Sequence, residues 1–376
     1  MAGLNFSDDV HATGRKLHLQ TVVTEGGDVA VTTLFDGGRV LSREETSLVS
    51  KLSESERTET TRALHDDILE TIELIYEISA RVKTVRHPLS LVKLGCLFLR
   101  WNLLDETISE LELALQYDPR CFDGYLNLGE AYIRRGGLKE AAEVLRKGLK
   151  LAPGYADMWQ KYGWALFKNN QIKEALGAFR HALKINPSYD APYLSVAMSL
   201  MKVVSSGKSD TMPAAESGDL DKQIRENLSR AVARSVRFQT SDFEQAMRLF
   251  HRGDVRGALA ILIEISDRLP NVVDLSFHDA FYLKYLYGES KKKTRDINIY
   301  VERMESLIKR YPKYPDLQNK MGIAYLIQSR ELFNSALRHF RQACDIHPGY
   351  ERAKTNLKLA ENDGKGFLIL LRAMLK

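Results

Sequence analysis

The sequence predicts a mostly α fold: an α-solenoid of helix pairs, preceded by a small three-stranded β-sheet plus helix (α+β) module. Three observations predict it. Pro119, Pro153 and Pro187 lie 34 residues apart, and Tyr125 with Trp159, Gly129 with Gly163, Ala141 with Ala175 and Leu145 with Phe179 repeat at the same step. A fixed period of this size marks stacked two-helix units. Residues 17–35 are β-branched and partly alternating around Glu25-Gly26-Gly27-Asp28, the pattern of a hairpin. Between the two regions Leu64, Ile68, Ile72, Ile75, Ile78 and Val82 recur at three- and four-residue steps, the stripe of an amphipathic helix.

The first 50 residues form the β module, with strands expected over 17–24 and 29–35 and a third, short one over 39–42 after Asp36-Gly37-Gly38. A sheet this small is marginal alone, so it is expected to pack on the helix predicted over 53–84. Ser53 or Ser55 is the candidate N-cap, and His87-Pro88 ends the helix. This segment, 51–87, links the sheet to the repeats or caps them.

The repeats follow. The most regular unit, Asp157 to Pro187, places Trp159, Tyr162 and Gly163 in a first helix and Ala175, Phe179 and Ala182 in a second. The unit before it holds Tyr125, Leu128, Gly129, Tyr132, Ala141, Leu145 and Pro153, and the one before that Leu91, Leu94, Gly95, Phe98, Leu111, Ala114 and Pro119. Small residues let two helices approach, large apolar ones fill the gap, and proline stops the second helix. These residues resemble the tetratricopeptide repeat family, with Gly148 and Thr107 departing from its usual alanines. The resemblance covers about 88–362 and implies a right-handed solenoid. Regular units span 88–204, an inserted loop 205–219, and degenerate units 220–348, the sixth being 8 residues longer than the period and the seventh turning near 328–333. A capping helix over 350–362 and an apolar tail complete 349–376.

The resemblance also implies a concave groove lined by successive first helices. Its residues here are Leu126, Asn127, Glu130, Ile133 and Arg134, then Gln160, Lys161, Trp164, Phe167 and Lys168, then Leu194, Met198 and Met201 with Lys202. Val92, Cys96 and Leu99 are the positions of the first unit. An apolar, aromatic wall with basic residues at one edge suits an amphipathic helix or apolar peptide. The chain's own helix at 53–84 or its tail is an alternative occupant. Some family members bind C-terminal Glu-Glu-Val-Asp tails of chaperones through a carboxylate clamp. Asn127 and Lys161 match that clamp, but Val92, Cys96 and Asp157 stand at its other positions and argue against it.

The remaining features exclude more than they assign. Hydrophobic residues make up 44% and charged residues 27% of the 376, an ordinary balance, and no apolar run has the roughly 20 residues that span a bilayer. The N-terminus lacks the apolar stretch of a secretory signal. A cytoplasmic location and a bacterial source are expected. Cys96, Cys121 and Cys344 form no short-spaced pair and read as small apolar residues. The histidines form no metal-binding or catalytic motif, and phosphate-loop and nucleophile-elbow patterns are absent. No enzyme activity, cofactor or metal is expected; a site at His11 and His18 is the third choice. Net charge runs from −7 over residues 1–120 to +5 over 121–272 and +7 over 273–376. Lys291, Lys292, Lys293 and Arg295 form a patch for an acidic partner. An alternative function is nucleic-acid binding by this basic third.

Overall fold

The structure is a computed structural model that describes residues 4–12, 15–24, 28–48, 53–207, 219–268, 276–287, 294–310, 315–346 and 352–361. The N-terminal sheet has four antiparallel strands in the order β1-β2-β3-β4, namely β1 Asn5–Ala12, β2 Arg15–Val23, β3 Val29–Asp36 and β4 Arg39–Ser47. This corrects the expected three. The added strand β1 reads NFSDDVHA, too polar to signal a strand by itself. An edge strand has a neighbour on one side only, and its pairing decides its conformation more than its propensity does. Phe6 pairs with Thr21 and Val10 with Leu17, which puts both on the covered face.

That face is covered by helix α1, Glu54–Val85. Ser53 is its N-cap: Ser53 Oγ accepts from Glu56 N and Ser53 N donates to Glu56 Oε2, a reciprocal pair that satisfies two orphan groups. His65, Ile68, Ile72, Ile75, Ile78 and Val82 are buried. His65 sits in a polar chain: Nε2 is 3.1 Å from Asp8 Oδ2, Nδ1 is 2.9 Å from Thr21 Oγ1, and Thr21 meets Thr32 at 3.0 Å. A carboxylate only accepts, so in the neutral ring Nε2 donates to Asp8 and Nδ1 accepts from Thr21. The chain satisfies polar groups at the sheet–helix junction, and Thr21 is fully buried.

The helix pairs then follow: α2 Pro88–Arg100 with α3 Leu104–Tyr117, α4 Phe122–Arg135 with α5 Leu138–Leu151, α6 Ala156–Lys168 with α7 Ile172–Ile185, and α8 Ala191–Ser206 with α9 Leu220–Arg234. The period has a physical basis at each of its marks. The carbonyls of Pro119, Pro153 and Pro187 accept hydrogen bonds from Tyr125 Oη (3.1 Å), Trp159 Nε1 (2.8 Å) and Tyr193 Oη (3.0 Å). Each aromatic therefore fills the gap between units while its polar tip ties down the connecting loop. At Gly129 an added Cβ would lie 2.4 Å from Leu145 Cγ, so this crossing requires glycine. Turns inside the first three pairs place Asn102, Gly136 and Asn170, also 34 apart, at φ of 57°, 87° and 63°. The left-handed conformation closes the turn, and only glycine or asparagine adopts it at small cost.

The β-module docks on the first pair. Arg100 makes a two-pronged ion pair with Glu44 (3.0 and 2.9 Å), and Asn102 Nδ2 donates to the Leu41 carbonyl. Arg15 joins Asp36 and Glu106, both at 2.5 Å.

The stacking changes after α9. Up to that point each second helix packs on the next first helix, α3 on α4, α5 on α6 and α7 on α8. The following pair is α10 Ser241–His251 and α11 Val255–Arg268, and here α11 packs against α8, while α9 meets α10 through side chains such as Arg225 over the Phe250 ring at 5.1 Å. Helix α12 runs Ser276–Tyr287. Two compact units divide the chain, Met1–Leu283 and Lys284–Lys376. In the second, α13 Thr294–Arg310 packs on α14 Pro315–Ile346. Met304 and Ile297 face inward there, as do Met321 and Ala324. The turn expected near 328–333 does not form: α14 is one helix of 32 residues. That stretch, Gln-Ser-Arg-Glu-Leu-Phe, lacks a glycine or asparagine for a left-handed residue, unlike the earlier turns. A helix α15 covers 352–361 and ties back through Glu361 to Arg341.

Candidate partner-binding groove

The first helices α2, α4, α6 and α8 lie side by side, and the period aligns their residues in rows. One row runs Val92, Leu126, Gln160, Leu194. The next runs Lys93, Asn127, Lys161, Ser195. A third runs Cys96, Glu130, Trp164, Met198, a fourth Leu99, Ile133, Phe167, Met201, and the last is the basic row Arg134, Lys168, Lys202. The wall is polar at α4 and becomes apolar toward α8.

Exposure follows the same gradient. On α4, Leu126, Asn127, Glu130 and Ile133 are half-buried and Arg134 is exposed. Glu130 accepts from Lys161 Nζ at 2.6 Å and Arg134 Nε at 2.8 Å. Burial opposes its ionisation, but the two cations outweigh burial and hold its carboxyl at about 2. On α6 and α8, Trp164, Phe167, Leu194, Met198 and Met201 are all buried. Gln160 Nε2 donates to Ser195 Oγ (2.7 Å) inside the same layer. Trp164 and Phe167 stack, with ring centroids 5.2 Å apart, and carry Lys168 and Lys202 against their faces at 5.3 and 4.7 Å.

Much of this burial comes from the chain itself. Trp164, Phe167, Met198 and Met201 share one apolar cluster with Ala258, Leu259 and Leu262 of α11. Asp267 of α11 pairs with Lys168 at 2.6 Å, Ser266 Oγ approaches Met198 Sδ at 3.7 Å, and Arg256 donates to the Ser205 carbonyl at 3.1 Å. The last two contacts set α11 antiparallel to α8. At the other end of the wall, Lys93 pairs with Asp279 of α12 at 2.6 Å and lies 4.9 Å from the Tyr282 ring centroid. Burial pushes the Cys96 thiol up, and Asp279 adds to it, so this cysteine is a poor nucleophile. The basic row has its own structural use: Arg134 donates to the Leu99 carbonyl and Lys202 to the Phe167 carbonyl, each at the C-terminal end of the preceding first helix.

The family model for the tetratricopeptide repeat matches residues 122–164 and, in a second form, 156–189. Residues 122–189 thus carry tetratricopeptide repeats. No curated protein matches its sequence. Solved structures similar to this chain include MamA, 19% identical, covering 50% of this chain and 99% of that one at a TM-score of 0.37. YrrB, described as a TPR protein with an unusual peptide-binding site, is 18% identical, covering 56% and 98% at 0.35. The Sgt2 TPR domain from Aspergillus fumigatus is 22% identical, covering 34% and 85% at 0.32.

In this chain the clamp-like positions are engaged internally. Asn127 Nδ2 donates to the Asp123 carbonyl, Lys161 is held by Glu130, and Asp157 accepts from the half-buried Tyr189 hydroxyl. Cys96, Cys121 and Cys344 are free and half-buried. His18 pairs with Asp9 at 2.9 Å on the sheet, and the side chain of His11 lies outside the described residues. Lys291, Lys292 and Lys293 also lie outside them; Arg295 falls in α13, with its side chain outside. Among the described residues no cluster has metal-ligand chemistry, and no helix is long and apolar enough to cross a membrane. Sequence reasoning did not find α11 as a neighbour of the wall. Its apolar steps are visible, but nothing local says which surface they meet.

Proposed function

We propose that the chain is a non-enzymatic scaffold that holds a protein partner, and that its wall of first helices recognises an amphipathic helix. The observation that supports this reading is the chain's own α11. It is an amphipathic helix with Ala258, Leu259 and Leu262 buried, and it lies against the residues that the period assigns to the groove. A surface that buries one such helix has the shape and chemistry for another. The half-buried α4 portion, with Leu126 and Ile133 beside the Glu130, Lys161 and Arg134 charges, is the part of the wall that offers contact to a partner.

The test uses α4, because Trp164 and Phe167 are core residues and truncating them would disturb the fold as well. Proteins captured from the source cells by the native chain are compared with those captured by Leu126→Glu/Ile133→Glu, with helical content checked by circular dichroism. Loss of a specific partner from a folded variant supports the reading. If every captured partner also binds that variant, the groove is not the binding surface.

A further inference from the structure

We infer that the α6–α8 wall is a helix-acceptor site with an exchangeable resident, α11, and that the partner exchanged for it is a helix of matching chemistry. That chemistry is small and leucine side chains at three- and four-residue steps plus carboxylates placed for Lys168 and Lys202. The inference rests on the scaffold reading above and adds the partner's pattern and the competition for its site.

Three observations carry it. First, α11 pairs with α10 as the other second helices pair with their first helices, but it does not pack on a following first helix; it reaches the wall through contacts with α8 and α6 instead. Second, the polar part of that contact is built for recognition. Asp267 sits in the last turn of α11, where the helix dipole disfavours a carboxylate, and its partner is Lys168 of α6. Both side chains keep solvent contact, 43% and 29% exposed, so the pair can open without burying an isolated charge. Third, the wall presents more cation than α11 uses. Lys202, one period after Lys168, rests on the Phe167 ring and carbonyl and has no carboxylate partner among the described residues. A helix with a second carboxylate reaching Lys202 matches the wall better than the resident does.

The resident lowers the apparent affinity of any competitor by the fraction of molecules in which the wall is free. Loosening α11 must therefore tighten binding in trans. The probe is a fluorescein-labelled synthetic peptide of residues 255–268, titrated into the full chain by anisotropy. Asp267→Lys, a change at a solvent-contacting position, is expected to bind the probe at least about tenfold more tightly than the native chain. Adding Lys168→Ala and Lys202→Ala to that variant is expected to remove the gain. Equal affinity of the native chain and Asp267→Lys overturns the exchange; a gain that survives loss of both lysines overturns the site. Hydrogen exchange on the native chain supplies a second readout that needs no variant. Amides of α11 are expected to exchange faster than those of α8, and equal protection of the two also overturns the inference. Failure here with partner loss on Leu126→Glu/Ile133→Glu leaves the scaffold reading standing, whereas partner retention on that variant removes the scaffold reading itself.

Discussion

Gly129→Ala and Gly177→Ala add the same methyl group to two helices of one array and are expected to shift stability in opposite directions. Alanine is favoured over glycine in a helix interior by about 1 kcal/mol, and this gain applies at both sites. At Gly177, an exposed position of α7, nothing lies within 4 Å of the added Cβ, so the whole gain remains and stability should rise by about 0.5–1 kcal/mol. At Gly129 the added Cβ would lie 2.4, 2.6 and 2.8 Å from Leu145 Cγ, Cδ2 and Cδ1. Leu145 is fully buried, and its branch point cannot swing clear without displacing α5 from α4. Overpacking of this kind costs about 1–3 kcal/mol, so the clash offsets the propensity gain and a net loss of up to about 2 kcal/mol is expected. Urea unfolding followed by far-ultraviolet circular dichroism measures both, as midpoint shifts at unchanged slope. If both variants shift the same way, the close crossing of α4 and α5 is not what requires glycine at 129.

Three further outcomes follow from named contacts. Asn170→Ala, at φ 63°, should cost about 1–2 kcal/mol while Asn170→Gly stays near neutral; equal losses in thermal melts would remove the left-handed explanation of the turn. Glu130 has its carboxyl lowered from 4.5 to about 2 by Lys161 and Arg134. A folded value below the unfolded one means that its contribution is full above about pH 4.5 and is lost as pH falls toward 2, so the stability gap between the native chain and Glu130→Gln should narrow across that window in acid titrations. Arg15→Met deletes the ties to Asp36 and Glu106 and should cost about 1–2 kcal/mol for charged but partly solvated contacts. Hydrogen exchange should show β2 and β3 losing protection while α6 and α7 keep theirs.

Legibility differed by element for physical reasons. The stripe of α1 and its Ser53 start were readable, because capping and apolar steps are local properties. Strand β1 was not, since its pairing with β2 rather than its own residues makes it a strand. The continuity of α14 was readable in principle. Asn102, Gly136 and Asn170 mark the turns of the first three pairs at the 34-residue period, and no such residue interrupts 328–333. The candidate wall was legible as rows of residues, but its coverage by α11 and α12 was not.

The sequence by itself determined the unit of construction: a helix pair closed by a left-handed turn, tightened at a glycine, and tied to the next by a proline carbonyl and an aromatic tip. Each of those devices acts over a few residues or across one crossing, so the residue types record it. Tertiary structure alone decided where the fifth pair goes. An apolar face such as Ala258, Leu259 and Leu262 favours burial without specifying a surface, because the hydrophobic effect is non-directional. Stacking on α9 would bury such a face, and so does folding back onto α8 beside Lys168. The long-range contacts of Asp267, Ser266 and Arg256 accompany the second arrangement, and they join residues 51 to 99 positions apart.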